Sequence, residues 1–172
     1  TLAGTALFAI VAAAAQARWV PDPANHFASY LGIWILTAVA SAGLIWMQMQ
    51  TRSRRIHSGL ADEMIRMAVE QFLPSAVAGA LITVVLARYV PQALWMLPGL
   101  WQIVYSLGVF SSCRFLPRPM LAAGIWYLLT GLACFALGEN WALSPWAMGV
   151  PYAVGQLLVA GILLFNSQEV AD

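Results

Sequence analysis

Gln102 and Gln156 are the residues whose surroundings most demand an explanation. Each sets a primary amide, with its donors and acceptors, in a stretch otherwise built from apolar side chains. An amide in such a setting needs hydrogen-bond partners. Gln102 follows Pro98 by four residues and Gln156 follows Pro151 by five. A proline withdraws a backbone donor and leaves carbonyls that an amide can reach. Two uses are open. The amides join one helix to another, or, with Tyr105 and Tyr152, they line a polar cavity for a neutral solute or a lipid headgroup. Gln16, Thr37, Ser41, Thr83, Ser106 and Thr130 are further uncharged polar residues in apolar runs.

A second set carries charge. Arg18, His26, Arg88 and Glu139 fall beside Pro-rich or Trp-rich turns at the ends of those runs. Histidine titrates near neutral pH, so His26, with Asp22 and Asn25 before it, has the chemistry of a pH sensor, or is a helix-start residue in a wet loop. Arg18 and Arg88 either mark an anion site or extend their guanidinium groups to lipid headgroups. Glu139 is placed to pair with one of them.

Other chemistries find no support. H-E-x-x-H, G-x-S-x-G and the phosphate loop are all missing from the sequence. Cys113 and Cys134 are far apart and read as apolar thiols. His26 and His57 both lie outside the apolar runs, whereas a haem or metal site in a helix bundle draws on His within helices. No Asp, Glu or Arg sits at the middle of a run, which argues against an ion-coupled transporter. No catalytic, cofactor or metal-binding residue is assigned, and the chain is expected not to be an enzyme.

These side chains must be positioned in an unusually apolar chain: 172 residues, 62% hydrophobic and 9% charged. A soluble domain of that length cannot hide so much apolar surface, so lipid is the expected solvent. Six runs approach the roughly 20 residues that cross a bilayer core, at 2–17, 27–48, 72–89, 94–112, 120–137 and 146–165. They do not alternate apolar and polar residues as barrel strands do, so they must be helices. The expectation is an all-α polytopic membrane protein, a single domain over 1–172 with about six transmembrane helices as three hairpins at about 2–48, 72–112 and 120–165. Between the first two hairpins, residues 56–71 repeat apolar side chains at helical spacing, with Asp62, Arg66 and Glu70 on the other face. They read as an amphipathic helix at the interface, or as an extension of the third span.

Arginine placement orients the chain. All eight basic residues are Arg: Arg52, Arg54, Arg55, Arg66, Arg114 and Arg118 lie at one side of the runs, Arg18 and Arg88 at the other. The Arg-rich side is expected in the cytoplasm, together with both ends of the given sequence. Trp19, Tyr89, Trp95, Trp141 and Trp146 form the expected aromatic belt opposite. A net charge of +1 without a basic stripe gives no sign of nucleic-acid binding. Thr1 is not an initiator Met, so the native chain is expected to extend upstream, and Leu2 to Ala15 lacks the features of a signal peptide.

An internal match links the hairpins. Ala17-Arg18-Trp19-Val20-Pro21 corresponds to Ala87-Arg88-Tyr89-Val90-Pro91, and Gly32-Ile33-Trp34 to Gly99-Leu100-Trp101. Gly149-Val150-Pro151 is the third hairpin's remnant of the second match, so three hairpins in one orientation are expected. Ala38 and Ala42, Ala76 and Ala80, and Gly149 and Ala153 have the four-residue spacing that lets helix backbones approach, within the chain or between copies.

The three-hairpin pattern, with Gly early in the spans, resembles the HdeD-like acid-resistance membrane proteins of bacteria. Its closest stretch is Gly124-Ile125-Trp126-Tyr127-Leu128-Leu129-Thr130-Gly131, continuing through Glu139 to Gly155. The resemblance covers about one quarter of the chain and implies a bacterial inner-membrane location and an envelope or stress role. The leading expectation is a non-enzymatic membrane protein, a homo-oligomer or a subunit of a membrane complex, with the bilayer as its other partner. A channel or facilitator for a small neutral solute is the alternative, and a lipid-acting membrane enzyme the second alternative.

Overall fold

A computed structural model describes residues 2–53, 59–114, 116 and 118–169. Helix is the only regular structure among the described residues, with no strand. The helices are α1 (Leu2–Trp19), α2 (Phe27–Ser53), α3 (Gly59–Tyr89), α4 (Leu97–Ser112), α5 (Met120–Leu137), the single turn α6 (Glu139–Ala142) and α7 (Pro145–Glu169). A 3₁₀ segment, Pro91–Met96, joins α3 to α4.

Five stretches are long and apolar enough to cross a membrane: Phe27–Met47, Arg66–Tyr89, Pro91–Ser112, Met120–Leu137 and Pro145–Phe165. Their outward side chains are large and apolar, with Leu36, Val84, Leu129 and Phe165 each more than half exposed. Water would not tolerate so continuous an apolar exterior; lipid does.

Neighbouring helices run antiparallel in the packing order α2, α1, α7, α5, α4, α3. The order follows from where small residues permit contact. On α7, Gly149 sits against Ala13 of α1, so closely that an added Cβ would lie 2.5 Å from the Ala13 methyl. Between α4 and α5, Gly99 and Gly131 face each other. Gly124 receives the ring of Phe110, and Gly108 the ring of Phe72 from α3. Tyr30 and Trp34 of α2 turn inward and meet Leu143 and Met148, with Trp95, Trp101 and Tyr152 packed around them. Of the three small-residue stripes, Gly149 and Ala153 are used in this packing, while Ala38, Ala42, Ala76 and Ala80 lie on exposed faces of the two edge helices.

Several boundaries differ from the sequence expectation. Of the two readings of the amphipathic stretch, the structure takes the extension: from Gly59 it continues into the third span as one 31-residue helix, with residues 56–58 outside the described part. Its exposed Arg66–Glu70 pair, at 3.6 Å, has the i,i+4 spacing of a surface ion pair. Pro74 therefore lies inside a helix. Pro98 does occupy the first turn of α4, while Pro151 lies within α7. Trp95, expected in the aromatic belt, packs edge-on against Phe135 at 6.3 Å and beside the buried Cys134, Ala142 and Ala147. Trp19, Tyr89, Trp141 and Trp146 are exposed.

The matched tryptophans bond alike, although their acceptors do not correspond in the match, Gln16 standing one residue before Ala17 and Thr83 four before Ala87. Trp34 donates from its indole to Gln16 Oε1 at 2.8 Å, and Trp101 donates to Thr83 Oγ1 at 2.8 Å; both bonds span 18 residues. The placement of the hairpins is not repeated: the second helix, α2, is the edge of one, and the first helix, α3, is the edge of the other.

Gly138 turns the chain from α5 into α6 with φ 81° and ψ −175°, a conformation nearly restricted to glycine. Open space surrounds it, so a side chain would meet strain and not a clash. Gly138→Ala is expected to lower stability by about 1–3 kcal/mol, read from thermal unfolding in detergent.

Candidate functional site

The polar residues of the interior form two levels along α7. The first level, near the start of α7, is built on Gln16 and Gln102, both fully buried. Gln16 donates from Nε2 to the Leu143 carbonyl at 2.8 Å while its Oε1 accepts from Trp34, so a single amide ties α1 to α2 and to the turn before α7. Gln102 donates from Nε2 to the Ala147 carbonyl at 2.8 Å. Ala147 stands four residues before Pro151, which has no N–H to offer it. The Gln102 amide thus supplies the donor that the proline withholds. One turn along, the Trp126 indole donates to the Pro151 carbonyl at 2.9 Å. Gln102 from α4 therefore satisfies the interrupted backbone of α7, and Trp126 from α5 adds a further bond to the same helix.

The second level lies nine residues further along α7, about 13 Å at helical rise. There Gln156 Oε1 accepts from the Thr5 hydroxyl at 3.1 Å and Nε2 donates to the Tyr105 hydroxyl at 3.4 Å. Three tyrosines close around it. Tyr105 and Tyr127 have ring centroids 4.6 Å apart, Tyr127 and Tyr152 5.3 Å, and Tyr105 and Tyr152 5.7 Å. Phe72 from α3 meets Tyr105 edge-on at 5.1 Å. The Tyr127 ring fits because residue 155 is glycine: a Cβ there would lie 2.3 Å from it.

Tyr105, Tyr152 and Gln156 of the proposed polar cavity are therefore brought together, and Gln102 stands apart at the other level. Tyr127, Thr5, Tyr30 and Gln16 complete these levels. The sequence offers a weak signal for Gln16, a buried amide in an Ala-rich run, and none that separates Tyr30 or Tyr127 from ordinary interfacial or core aromatics.

The charged set is not gathered. Arg18 and His26 are exposed, and Arg88 ends α3 at the far edge of the bundle from α1. Glu139 does line a cleft of about 580 Å³ between the α1–α2 loop and the start of α7, but its charged companion there is Asp22, beside Asn140, Ser144 and Trp146. The nearer chain supplies Asp22's partner: Asn25 donates from Nδ2 at 2.7 Å and from its backbone N–H at 3.4 Å. These bonds hold the Asp22 carboxyl below the usual range, with a smaller contribution from nearby His26. The loop tie is present above the ordinary carboxylate range and is lost as pH falls through the lowered value. His57, Arg54 and Arg55 lie outside the described residues.

Among the described residues no three His, Cys, Asp or Glu side chains converge as metal ligands. Cys134 is buried, and partial burial at the end of α4 pushes the Cys113 thiol up, away from the reactive thiolate. No family model, curated protein or solved structure matches this chain.

Proposed function

We propose that the chain is a non-enzymatic integral protein of a bacterial inner membrane and acts by association, as a homo-oligomer or a subunit of a larger membrane complex. In this reading α1 is the sixth span, and the end carrying Arg52, Arg66, Arg114 and Arg118 faces the cytoplasm with both ends of the given sequence. An envelope or stress role is the one that the likeness to HdeD-like proteins implies.

One observation carries the association reading. Ala38 and Ala42 on α2, and Ala76 and Ala80 on α3, keep the spacing that lets helices approach, yet both pairs face outward on the edge helices. In lipid, where apolar burial gives no drive, such faces favour helix contact through close packing. The facilitator reading is less well supported, because the Gln102 and Gln156 amides bond to neighbouring helices. A lipid-acting enzyme would draw on Arg18, His26 and Glu139 together, and neither Arg18 nor His26 lines the cleft that Glu139 borders.

Native mass spectrometry from nanodiscs tests the proposal. The expected species is a multiple of the chain or the chain with a co-purifying subunit, lost on combining Ala42→Leu with Ala80→Leu. A bare monomer under mild extraction contradicts it.

A further inference from the structure

Among the described residues, three buried side-chain atoms have no hydrogen-bond partner: the Tyr30 hydroxyl, Gln102 Oε1 and the Tyr127 hydroxyl. Folded proteins leave few such atoms dry, since most are paired with protein or with ordered water. Two of the three share a neighbourhood. Tyr30 belongs to the buried cluster that contains Met148. Gln102 Nε2 lies 3.9 Å from Met148 Sδ and 3.7 Å from Cys134 Sγ. Met148 therefore links the cluster that holds the phenol to the amide, with Cys134 beside the amide.

The chemistry of the two groups defines what fits between them. A phenol hydroxyl donates and accepts, and an amide oxygen only accepts. Among the described residues no charged side chain is buried, so a bound species there is neutral. Water is the smallest molecule that accepts from one group while donating to the other, and it is the usual occupant of small polar sites inside proteins. A source of water is adjacent. Val20 and Leu143 line the cleft and also belong to the cluster that holds Tyr30 and Met148. The Gln16 bond to the Leu143 carbonyl and the Trp34 bond to Gln16 close the floor between cleft and interior.

We infer that the bundle holds a bound water beneath the floor of the cleft, bridging the Tyr30 hydroxyl and Gln102 Oε1 beside Met148 and Cys134. This is a binding site distinct from the helix faces that carry the association reading. It places solvent about one helical turn inside a membrane protein without opening a path across it.

Radiolytic hydroxyl-radical footprinting of the full chain in nanodiscs tests the site, because radicals formed from a bound water oxidise adjoining sulfur. Met148 and Met120 are equally buried, at 2% and 3% exposure, so their comparison isolates the bound water from bulk access. Met148 is expected to oxidise several-fold faster than Met120, and Tyr30→Phe to bring it down to the Met120 rate. Equal rates in the unmodified chain overturn the inference, whether or not the variant folds. A fast Met148 that is unchanged by Tyr30→Phe also overturns it, since solvent then arrives from the cleft without being held. Unfolding gives an independent reading of sign. In a dry core Tyr30→Phe removes an unpaired hydroxyl and raises Tm, by roughly 2–4 °C for a chain of this size. At a hydrated site the variant leaves Tm unchanged or lowers it.

Discussion

Gly131→Ala is expected to destabilise the protein by about 1–3 kcal/mol, and Gly131→Leu to prevent α4 and α5 from docking at all. The reason is a backbone contact that no rotamer change can relieve. A Cβ on Gly131 would lie 2.9 Å from the Gly99 carbonyl oxygen, 2.9 Å from Ile103 Cγ1 and 3.1 Å from Gln102 Cβ. The contact is reciprocal, since a Cβ on Gly99 would lie 2.8 Å from the Gly131 carbonyl oxygen and 3.1 Å from Cys134 Cβ. Separating the helices by the required fraction of an ångström would loosen the whole seam and pull Gln102 away from α7. Gly32 and Gly161 provide the control. Each is helical with open space around its missing Cβ, so Ala there is expected to be neutral or stabilising by about 0.5–1 kcal/mol. Reversible unfolding in mixed detergent measures all three. A Gly131→Ala variant that behaves like Gly161→Ala would refute the close approach.

Gln102→Leu is the second large effect, and its size depends on another residue. Hydrogen bonds between membrane helices average only about 0.6 kcal/mol, because the unfolded helices find other partners. The Ala147 carbonyl is a special case: Pro151 has removed its helical donor, and Gln102 replaces it at 2.8 Å in a fully buried position. Orphaning such a carbonyl costs about 1–3 kcal/mol, and that range is expected for Gln102→Leu. Pro151→Ala returns an N–H to Ala147, so in that background the same substitution should cost about 1 kcal/mol less. Equal costs in the two backgrounds would mean that Gln102 does something other than replace the missing donor.

That pairing also marks where sequence reasoning reached its limit. The proximity of Gln102 to Pro98, and of Gln156 to Pro151, suggests that each amide serves the proline of its own helix. Instead Gln102 serves the helix broken by Pro151, Trp126 takes the Pro151 carbonyl, and Gln156 turns to Thr5 and Tyr105. The need for partners was legible, because an amide in hydrocarbon must be bonded. Their identity was not, because it depends on which helices are neighbours, and composition carries no information on neighbours when every face is apolar. Spans were legible for the same reason that partners were not. Apolar runs and their proline and glycine ends place Met120–Leu137 to the residue, but a helix that leaves the apolar layer loses its signal. So the continuation of α3 back to Gly59 reads equally well as a separate amphipathic element.

The charged residues teach a related lesson. Repeat-matched Arg18 and Arg88 suggest a common site, yet exchanged roles for α2 and α3 at the edges leave the two arginines on different parts of the bundle. The cleft instead is lined by both Asp22 and Glu139, a juxtaposition that follows from the α1–α7 contact and is invisible in the spacing.

Alkaline carbonate extraction of membranes expressing the chain tests the central claim most directly, since a layer of apolar side chains on every outer helix leaves lipid as the only adequate solvent. The chain should stay with the sedimented membranes and enter the supernatant only with detergent. Its release by carbonate alone would contradict the membrane-embedded bundle and every inference drawn from it.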